Sequence, residues 1–440
     1  MHLLPVMEGL HSAEAFTQPF VTEFLELVRQ IERRPEKFAD ALRGKVIATV
    51  FEEPSTRTRL SFEAAAHRLG AGVITVADPK TSSAVKGETL RDSARVIGGY
   101  ADLLVWRHPK DGASRMAAQY AGVPVVNGGD GRLGHPTQTL LDLYTLYKRW
   151  GGFEGRVVGI LGDLLHGRTA RSLAWGLTMM GASVVVLPGP GLDWEPGFES
   201  RILERYNYRL ARVSHDLFKE WTGSAQARVL EPKGLVQGRL FQGDAPTIDK
   251  LDAVYLTRLQ DERGAGERKS GVFPGLKLHQ LEYPVLKETV FLHPLPRREE
   301  IPAEVDLDPR ALYFEQARNG PLVRQAVFLS LLCSEQYSLP PLRPLPAGDA
   351  EHSMGPCPNP SCITHSEGLR PPWRVEGRNR WIFLCAYCDN ALQAHYVGCR
   401  SSRRVHPAHS PQVPKIRPEN LRPFADRETA IAQGFSWGGG

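Results

Sequence analysis

The most informative stretch of the chain reads Val46-Ile47-Ala48-Thr49-Val50-Phe51-Glu52-Glu53-Pro54-Ser55-Thr56-Arg57-Thr58-Arg59. Its first six residues are mostly apolar and predict a short buried strand, and the helical pattern of residues 60–69 predicts a helix that Gly70 ends. The turn between them carries three hydroxyl groups and the guanidinium of Arg57. Helix starts present unpaired N–H groups that attract anions, and a phosphate favours a bidentate arginine. The turn therefore predicts a phosphate site, with plain capping of the helix by Ser55 as the alternative.

Strands and helices alternate outward from this stretch in two series, which meet at Gly151-Gly152. The first series has strands at 46–51, 73–76, 101–106 and 123–127 and helices at 15–34, 60–69, 89–100 and 136–150. The second has strands at 156–161, 183–187, 253–256 and 289–292, a helix at 169–180 and a closing apolar helix at 320–333. This predicts an α/β fold of two doubly wound lobes, each built on a parallel sheet covered on both faces.

These patterns divide the chain into consecutive parts. The first domain covers 1–150 and is completed by a C-terminal helix at about 318–338, and the second domain covers 151–317, within which residues 188–250 are hard to interpret. A proline-rich linker at 339–350 leads to a small cysteine-rich β domain at 351–400. The remaining residues, 401–440, are rich in Pro and Arg and are expected to be disordered.

Composition and charge exclude several classes of protein. The chain has 440 residues, 42% of them hydrophobic and 23% charged, which is typical of a soluble globular protein. No stretch approaches the roughly 18 consecutive apolar residues of a membrane helix. No secretory signal is recognisable, so the expected location is cytoplasmic. Of the net charge of +5, residues 351–440 contribute +4, from 11 Lys and Arg against 7 Asp and Glu. The body is therefore nearly neutral and offers no field for nucleic acid.

Further polar groups follow the strands of the first series. Arg107-His108-Pro109 stands at the carboxyl end of the third strand, where open parallel sheets bind ligands. His135 and Gln138 are three residues apart at a predicted helix start, so both can face one pocket. Lys86 lies in a polar loop. Taken singly, the histidine is equally explained as a buried structural imidazole and the lysine as a solvated charge.

Together these motifs resemble one enzyme family. The run 51–59, Lys86-Gly87-Glu88-Thr89, Arg107-His108-Pro109 and His135-Pro136-Thr137-Gln138-Thr139 occur in the order and approximate spacing of the carbamoyltransferases. Residues 5–335 are similar to the aspartate branch of that family.

The resemblance implies roles for these residues. A phosphate cradle would consist of Ser55, Thr56, Arg57, Thr58 and Arg107. The catalytic residues would be Arg57, Thr58, Lys86, Arg107 and His135, of which Thr58, Arg107 and His135 polarise the carbonyl oxygen of carbamoyl phosphate. Gln138 would hold the carbamoyl amide. Ser82 and Lys86 would reach into the active site of a neighbouring subunit, which implies a homotrimer with shared sites.

The second series carries the acceptor side of the site. Gly162-Asp163-Leu164-Leu165-His166-Gly167-Arg168-Thr169 follows a strand and opens a helix, and a nucleotide-binding turn is the alternative, although G-x-G-x-x-G is missing. By the resemblance, Arg168, Arg258 and Gln260 bind aspartate, and two arginines suit a dicarboxylate. His293-Pro294-Leu295-Pro296 has proline where ornithine-using relatives usually have cysteine. The carbonyl groups of Pro294 and Leu295 would accept the carbamoyl N–H groups.

The implied reaction transfers the carbamoyl group of carbamoyl phosphate to the amine of L-aspartate. The products are N-carbamoyl-L-aspartate and phosphate, in pyrimidine biosynthesis. Neither a metal nor an organic cofactor is expected to take part. One departure is the spacing of 90 positions from Arg168 to Arg258, some tens more than the family usually has. The extra chain leaves the shape of the aspartate lobe open.

The cysteines concentrate near the C-terminus in a metal-binding pattern. Cys357-x₄-Cys362, then 22 residues, then Cys385-x₂-Cys388 predicts a structural zinc site of four thiolates, with two disulfides as the alternative. His395 and Cys399 are spare candidates. Cys357-Pro358-Asn359-Pro360-Ser361-Cys362 resembles the zinc domain of the regulatory chain of the same enzymes. That domain binds the catalytic chain there, so the resemblance implies that it holds subunits together here, and a dimer of trimers is one such arrangement.

Two other functions remain open on the sequence. One is an ornithine-type carbamoyltransferase, which Arg258 and Pro294 disfavour. The other is a zinc-ribbon nucleic-acid binder on an inactive scaffold, which the basic C-terminal segment motivates. Against it, all the matched catalytic positions are filled.

Overall fold

A computed structural model of the chain describes residues 9–78, 83–194, 197–214, 216–222, 226–233, 248, 250–260, 273–343, 356–376, 382–417 and 420–438. Within these ranges, no helix combines the length and the apolar character that crossing a membrane requires.

The first domain is built on a parallel sheet of four strands in the order β2-β1-β3-β4. The strands are β1 (Val46–Phe51), β2 (Gly72–Val76), β3 (Leu103–His108) and β4 (Val125–Asp130). Strands β1, β3 and β4 are almost wholly buried, and the apolar residues with which each begins agree with this, whereas the edge strand β2 is largely exposed. The polar residues that follow β1, β3 and β4 consequently lie at one edge of the sheet.

Five helices connect and cover these strands. They are α1 (Gln18–Arg33), α2 (Thr56–Arg68), α3 (Leu90–Gly98), α4 (Ala113–Tyr120) and α5 (Pro136–Trp150). Helix α5 begins with proline and ends at Gly151 in a left-handed conformation, with φ of 73°, as helix termini often do. Helix α4 was missed from the sequence because six of its eight residues are buried, which leaves no amphipathic period to detect.

The second domain has six strands in the order β10-β9-β5-β6-β8-β7. They are β5 (Val157–Gly162), β6 (Ser183–Pro188), β7 (Tyr208–Ser214), β8 (Gln226–Pro232), β9 (Ala253–Leu256) and β10 (Val290–Leu292), with helices α6 (Arg168–Met179), α7 (Phe198–Tyr206) and α8 (Asp216–Thr222). Strands β10, β9, β5 and β6 are parallel to one another. Strand β8 runs antiparallel to β6, and β7 runs antiparallel to β8. The described part of the segment 188–250 thus extends the predicted parallel sheet through β8 and β7, at the edge away from β9 and β10, whereas residues 234–247 lie outside the described ranges.

Helix α9 (Tyr313–Leu332) leaves the second domain and packs on α1, α2 and α5 of the first. Its predicted start near residue 318–320 is wrong, because Gly320 and Pro321 lie inside the helix. Proline favours the first turn of a helix, but here burial of the preceding turn, including Tyr313 and Gln316, carries the helix through. The rings of Phe62 and Phe328 pack with their centroids 5.8 Å apart. The first domain is therefore built from two parts of the chain, one that precedes the second domain in sequence and one, helix α9, that follows it.

Two small β units follow. The first contains a short helix, α10 (Ile363–Ser366), and an antiparallel sheet of β11 (Trp373–Glu376), β12 (Ile382–Cys385) and β13 (Ala391–Gln393). The second contains β14 (Tyr396–Cys399), β15 (Arg404–Pro407), β16 (Leu421–Phe424), α11 (Arg427–Ala432) and β17 (Ser436–Trp437). The prediction of two α/β lobes followed by a small β domain is confirmed.

The expected disorder of residues 401–440 is wrong for the residues that the structure describes there. Strand β14 pairs with both β15 and β16, and the buried side chains of Val405, Phe424, Ala430 and Phe435 form a small core. The rings of Phe424 and Phe435 meet edge to face, 5.1 Å between centroids. The Pro- and Arg-rich composition concealed these four apolar residues, because they are far apart in sequence and meet only after strand pairing. Of the predicted linker, residues 344–350 lie outside the described ranges.

Candidate active site

A cavity of about 1140 Å³ lies between the two α/β domains, beside the carboxyl ends of their parallel strands. Twelve of the predicted site residues line it: Ser55, Thr56, Arg57, Thr58, Arg107, His135, Gln138, Arg168, Arg258, Gln260, Pro294 and Leu295. The position is the one where open α/β sheets bind ligands. The two series of motifs, more than 200 positions apart at their ends, are therefore brought to a single site.

The turn between β1 and α2 opens onto this cavity. Ser55 is the N-cap residue of α2, with extended backbone, but its side chain makes no capping hydrogen bond. Thr58 is buried in the first turn of the helix. The simple capping interpretation of Ser55 is therefore wrong, and the start of α2 points its N–H groups into a polar cavity, as an anion site requires.

Glu53 holds two of the predicted arginines, one from each domain. Its Oε1 accepts from Arg107 Nη2 at 3.1 Å and from Arg168 Nη2 at 2.9 Å, and its Oε2 accepts from Arg168 Nη1 at 3.1 Å. The backbone oxygens of Gly128 and Gly131 accept from the same two guanidinium groups. Glu53 had no predicted role, although it directly precedes the Pro54-Ser55 turn.

His135 is buried at the start of α5. Its Nδ1 lies 3.4 Å from Thr137 Oγ1, and its backbone N–H donates to Ser172 Oγ of α6 at 3.2 Å. The first turn of α5 is thereby tied to the second domain, which fixes the imidazole beside the cavity.

The acceptor side is formed by two loops of the second domain. Gln260 N–H donates to Asp163 Oδ2 at 3.1 Å, which joins the turn after β9 to the turn after β5. Burial and the nearby Arg258 lower the pKa of Arg57, so arginines from the two domains face each other across the cavity. Leu295, with φ of 54°, donates its N–H to His293 Nδ1 at 2.8 Å. Burial lowers the pKa of His293, which keeps its ring neutral and fixes the loop.

Other lining residues were not found from the sequence. They include Ser61, Arg68, Phe314, Gln316, Arg318 and Arg324. Most of these come from α9, and nothing in its apolar pattern indicated a helix that returns to the first domain beside the phosphate turn. Only the basic residues at 318 and 324, within an otherwise apolar helix, were a signal.

Two predicted site residues do not line the cavity of this chain. Ser82 lies outside the described residues. Lys86 ends a short helix at Ser83–Lys86, is exposed to solvent, and is not among the residues around the cavity.

The four cysteines predicted to bind zinc come together and are buried. All four Sγ atoms lie within 4.8 Å of one another, with 3.4 Å between those of Cys357 and Cys388 and 3.8 Å between those of Cys362 and Cys385. These separations exceed the roughly 2.05 Å of a disulfide. They approach the ~3.8 Å edge of a tetrahedron with 2.3 Å zinc–sulfur bonds. The donor set therefore fits structural zinc, and the disulfide alternative is wrong.

The spare candidates stand apart from this cluster. Neither His395 nor Cys399 belongs to the cysteine cluster found among the described residues. The thiol of Cys399 instead lies 3.1 Å from the hydroxyl of Ser401, and such hydrogen bonds lower its pKa to about 7.

The zinc unit, residues 356–393, packs on α4 of the first domain in the same chain. Arg115 makes a bidentate pair with Asp389, with both N–O distances at 2.7 Å, and donates to the carbonyl groups of Ala386 and Tyr387. Asp389 also accepts from Arg374. Together the two arginines hold the pKa of Asp389 well below its usual range despite burial. The segment from Cys385 to Asp389 is thus fixed to the body by a buried ion pair and two hydrogen bonds to its backbone.

Comparisons with known protein families agree with this geometry. Residues 9–148 match the family "Aspartate/ornithine carbamoyltransferase, carbamoyl-P binding domain", and residues 154–331 match "Aspartate/ornithine carbamoyltransferase, Asp/Orn binding domain". Residues 355–397 match "Aspartate carbamoyltransferase regulatory chain, metal binding domain". The chain thus unites sequence motifs of catalytic and regulatory chains.

Individual relatives extend the agreement. The aspartate carbamoyltransferase catalytic subunit of Methanopyrus kandleri is 40% identical over 321 residues, which are 72% of this chain and 94% of the relative. The solved catalytic subunit of M. jannaschii aspartate transcarbamoylase has a TM-score of 0.57 at 34% identity and covers 75% of this chain and 99% of its own. The Trypanosoma cruzi aspartate transcarbamoylase, solved with carbamoyl aspartate and phosphate, has a TM-score of 0.59 at 30% identity, covering 76% and 99%. The chain belongs to the aspartate/ornithine carbamoyltransferase family.

Proposed function

We propose that this protein is an aspartate carbamoyltransferase of pyrimidine biosynthesis. The amine nitrogen of L-aspartate attacks the carbonyl carbon of carbamoyl phosphate and forms a C–N bond. The bond between the carbonyl carbon and the oxygen that bridges to phosphorus breaks. The amine loses one proton, which leaves on the departing phosphate. N-carbamoyl-L-aspartate and phosphate are the products. The observation that carries this assignment is the convergence of arginines from both domains on one cavity.

The phosphate half of the mechanism rests on the first domain. Ser55, Thr56, Arg57, Thr58 and Arg107 bind the phosphate group, and Thr58, Arg107 and His135 donate to the carbonyl oxygen as negative charge develops there. Fixed donors of this kind contribute about 10²- to 10³-fold each to turnover. Burial of Arg107 and His135 supports this role, because a water-poor site strengthens the interaction.

The acceptor half rests on the second domain. Arg168, Arg258 and Gln260 bind the carboxylates of aspartate, and the carbonyl groups of Pro294 and Leu295 accept the carbamoyl N–H groups together with Gln138. Among the described residues that line the cavity, seven are arginines and one, Glu53, is a carboxylate. This excess of positive charge favours two anionic substrates and disfavours the cationic side chain of ornithine.

We further propose a homotrimer in which Ser82 and Lys86 complete the neighbour's site. Support comes from several large apolar side chains of the first domain that are exposed, among them Leu60, Ile74, Val85, Val96 and Tyr100. Where exposed apolar side chains cluster, they mark protein–protein contacts. The zinc unit, already fixed to its own first domain, remains a candidate contact between trimers. Buried thiolate ligands suit a reducing compartment, which supports a cytoplasmic location.

A colorimetric assay for carbamoyl groups tests the function directly. The purified zinc-loaded chain is incubated with carbamoyl phosphate and either L-aspartate or L-ornithine, and binding of duplex DNA and RNA is measured in parallel. We expect carbamoyl aspartate alone. Carbamoylation of ornithine would make the chain an ornithine enzyme, and nucleic-acid binding without turnover would establish the inactive scaffold.

A further inference from the structure

Asp142 is a buried carboxylate that the proposed reaction does not use. It lies on α5, four residues after Gln138, and its exposed fraction is zero. It does not line the cavity. Buried carboxylates are costly unless they receive hydrogen bonds, so the groups around Asp142 indicate what it does.

One oxygen of Asp142 accepts hydrogen bonds from two glutamines. Its Oδ1 accepts from Gln138 Nε2 at 2.8 Å and from Gln316 Nε2 of α9 at 2.6 Å. The Oε1 of Gln316 in turn accepts from the backbone N–H of His293 at 3.0 Å. A continuous series of hydrogen bonds therefore joins α5, α9 and the loop after β10.

This arrangement decides which way both amides face. A side-chain amide has an NH₂ end and an oxygen end, and an ionised carboxylate can only accept. Both glutamines must therefore turn their NH₂ groups towards Asp142. Gln138 is left with its oxygen as the end that can accept from a ligand in the cavity, and Gln316 uses its oxygen to hold His293.

The surroundings keep this oxygen an acceptor in either protonation state. Burial raises the pKa of Asp142 to about 7, while Arg324 of α9 acts in the opposite direction. Tyr255 of β9 also faces the carboxyl group. A proton on the other oxygen, Oδ2, leaves Oδ1 able to accept from both glutamines, so the orientation of the amides does not depend on full ionisation.

We propose that Asp142 is a positioning residue that makes the cavity specific for the amino group of carbamoyl phosphate. It turns the oxygen of Gln138 towards the carbamoyl NH₂ and, through Gln316, holds the loop of His293, Pro294 and Leu295 in place. One carboxylate thus positions three acceptors for the two carbamoyl N–H groups: the side-chain oxygen of Gln138 and the carbonyl groups of Pro294 and Leu295. The inference rests on the proposed function and adds to it an explanation of how the site discriminates carbamoyl phosphate from analogues that lack the amino group.

Acetyl phosphate, which has a methyl group in place of the NH₂, tests the inference. Asp142→Leu removes the acceptor, whereas Asp142→Asn retains an oxygen in the same position. Dissociation constants of carbamoyl phosphate, acetyl phosphate and inorganic phosphate are measured on each folded variant. We expect Asp142→Leu to reduce the preference for carbamoyl over acetyl phosphate by about 10- to 100-fold, the cost of one or two misdirected hydrogen bonds. Phosphate affinity should change little, and Asp142→Asn should restore most of the preference.

Thr145→Val is the matched control. Thr145 lies on the next turn of α5 and accepts from Asn319 Nδ2 of α9 at 2.9 Å, away from the cavity. Thr145→Val should lower stability, because it also removes a buried hydrogen bond between α5 and α9, without altering the preference for carbamoyl over acetyl phosphate. A parallel loss of affinity for all three ligands in Asp142→Leu, or the same effect in Thr145→Val, would overturn the positioning role. If wild-type protein forms no carbamoyl aspartate, the proposed function fails instead.

Discussion

The active-site cavity and the joint between the zinc unit and α4 both concentrate buried charge, but they balance it differently. At the joint, Arg115 and Arg374 both donate to Asp389, and Arg115 Nη1 also donates to the backbone carbonyl groups of Ala386 and Tyr387. The described residues that line the cavity instead include seven arginines and one carboxylate, Glu53. The joint also has more arginines than carboxylates, but its hydrogen bonds and ion pairs run between two parts of the protein and fix them to each other, whereas the larger excess of arginines in the cavity is completed by anionic ligands.

The largest effect should come from removing zinc, which tests whether the joint is structural. Four-thiolate sites contribute about 10–16 kcal/mol in small zinc domains. We expect about one zinc per chain, and we expect chelation to unfold residues 356–393 while the cavity keeps its chemistry. Metal analysis measures the zinc content, limited proteolysis measures the unfolding of residues 356–393, and turnover of the chelated protein shows whether the cavity keeps its chemistry. Zinc-free protein with its four thiols in disulfides would contradict the assignment.

The next effect should come from breaking the ion pair itself. Removing one partner of a buried pair costs about 3–5 kcal/mol, because the other charge stays buried. Arg115→Leu should therefore release the zinc unit to proteases and lower the midpoint of urea unfolding.

Arg91→Ala serves as the matched control for Arg115→Leu. Arg91 pairs with Glu367 across the same joint at 3.0 Å, but its side chain is 26% exposed. Water reaches this arginine, so we expect Arg91→Ala to lower stability less than Arg115→Leu does. Equal effects of the two substitutions would show that burial does not distinguish them.

Removing one arginine from the cavity should affect chemistry and leave the fold intact. Arg107→Ala deletes a donor to the developing oxyanion, and we expect turnover to fall about 10²- to 10³-fold with little change in unfolding. Arg149→Ala, an exposed arginine on α5, is the control. Near-normal turnover of folded Arg107→Ala protein would refute the site.

A smaller and more selective effect is expected on the acceptor side. Arg258→Ala should raise the KM for aspartate about 10- to 100-fold, because a charge-assisted hydrogen bond contributes about 1.5–3 kcal/mol. The KM for carbamoyl phosphate should stay nearly constant. Steady-state kinetics with each substrate varied in turn distinguishes this from an equal loss for both, which would count against two binding lobes.

The smallest effect concerns the stability of the joint at mildly acid pH. The ring nitrogens of His11 are buried near Arg115, and burial, with the charge of Arg115, lowers the pKa of His11 to about 3. The unfolded chain binds this proton near pH 6.5, so stability falls as pH decreases from 6.5 towards 3. Between pH 7.5 and 5.5 the loss should be about 1 kcal/mol. The free energy of unfolding of His11→Gln, measured with urea, should depend less steeply on pH over this range. A pH dependence as steep as that of the wild-type protein would contradict the role of His11.

Local sequence was sufficient where strand, turn and helix follow one another directly. The β1–α2 turn, Arg107 near the end of β3 and His135 at the start of α5 were found because each motif occupies a few consecutive residues. Glu53, Gln316 and Arg115 were not, since each acquires its role from a partner far away in the chain. The segment 188–250 was obscure for a related reason, because β7 and β8 pair with each other and only β8 meets the parallel strands.

The sequence by itself determined the family, the two α/β lobes, the zinc ligands and twelve residues that line the cavity, because catalytic chemistry and metal binding demand particular residue types at fixed short spacings. Tertiary structure alone decided that α9 returns to line the cavity, that Asp142 orients two glutamines, and that residues 396–438 form a folded unit. These features depend on burial and on pairing between distant segments. The free energy that produces them is absent from any local stretch of the chain and appears only when the surfaces meet.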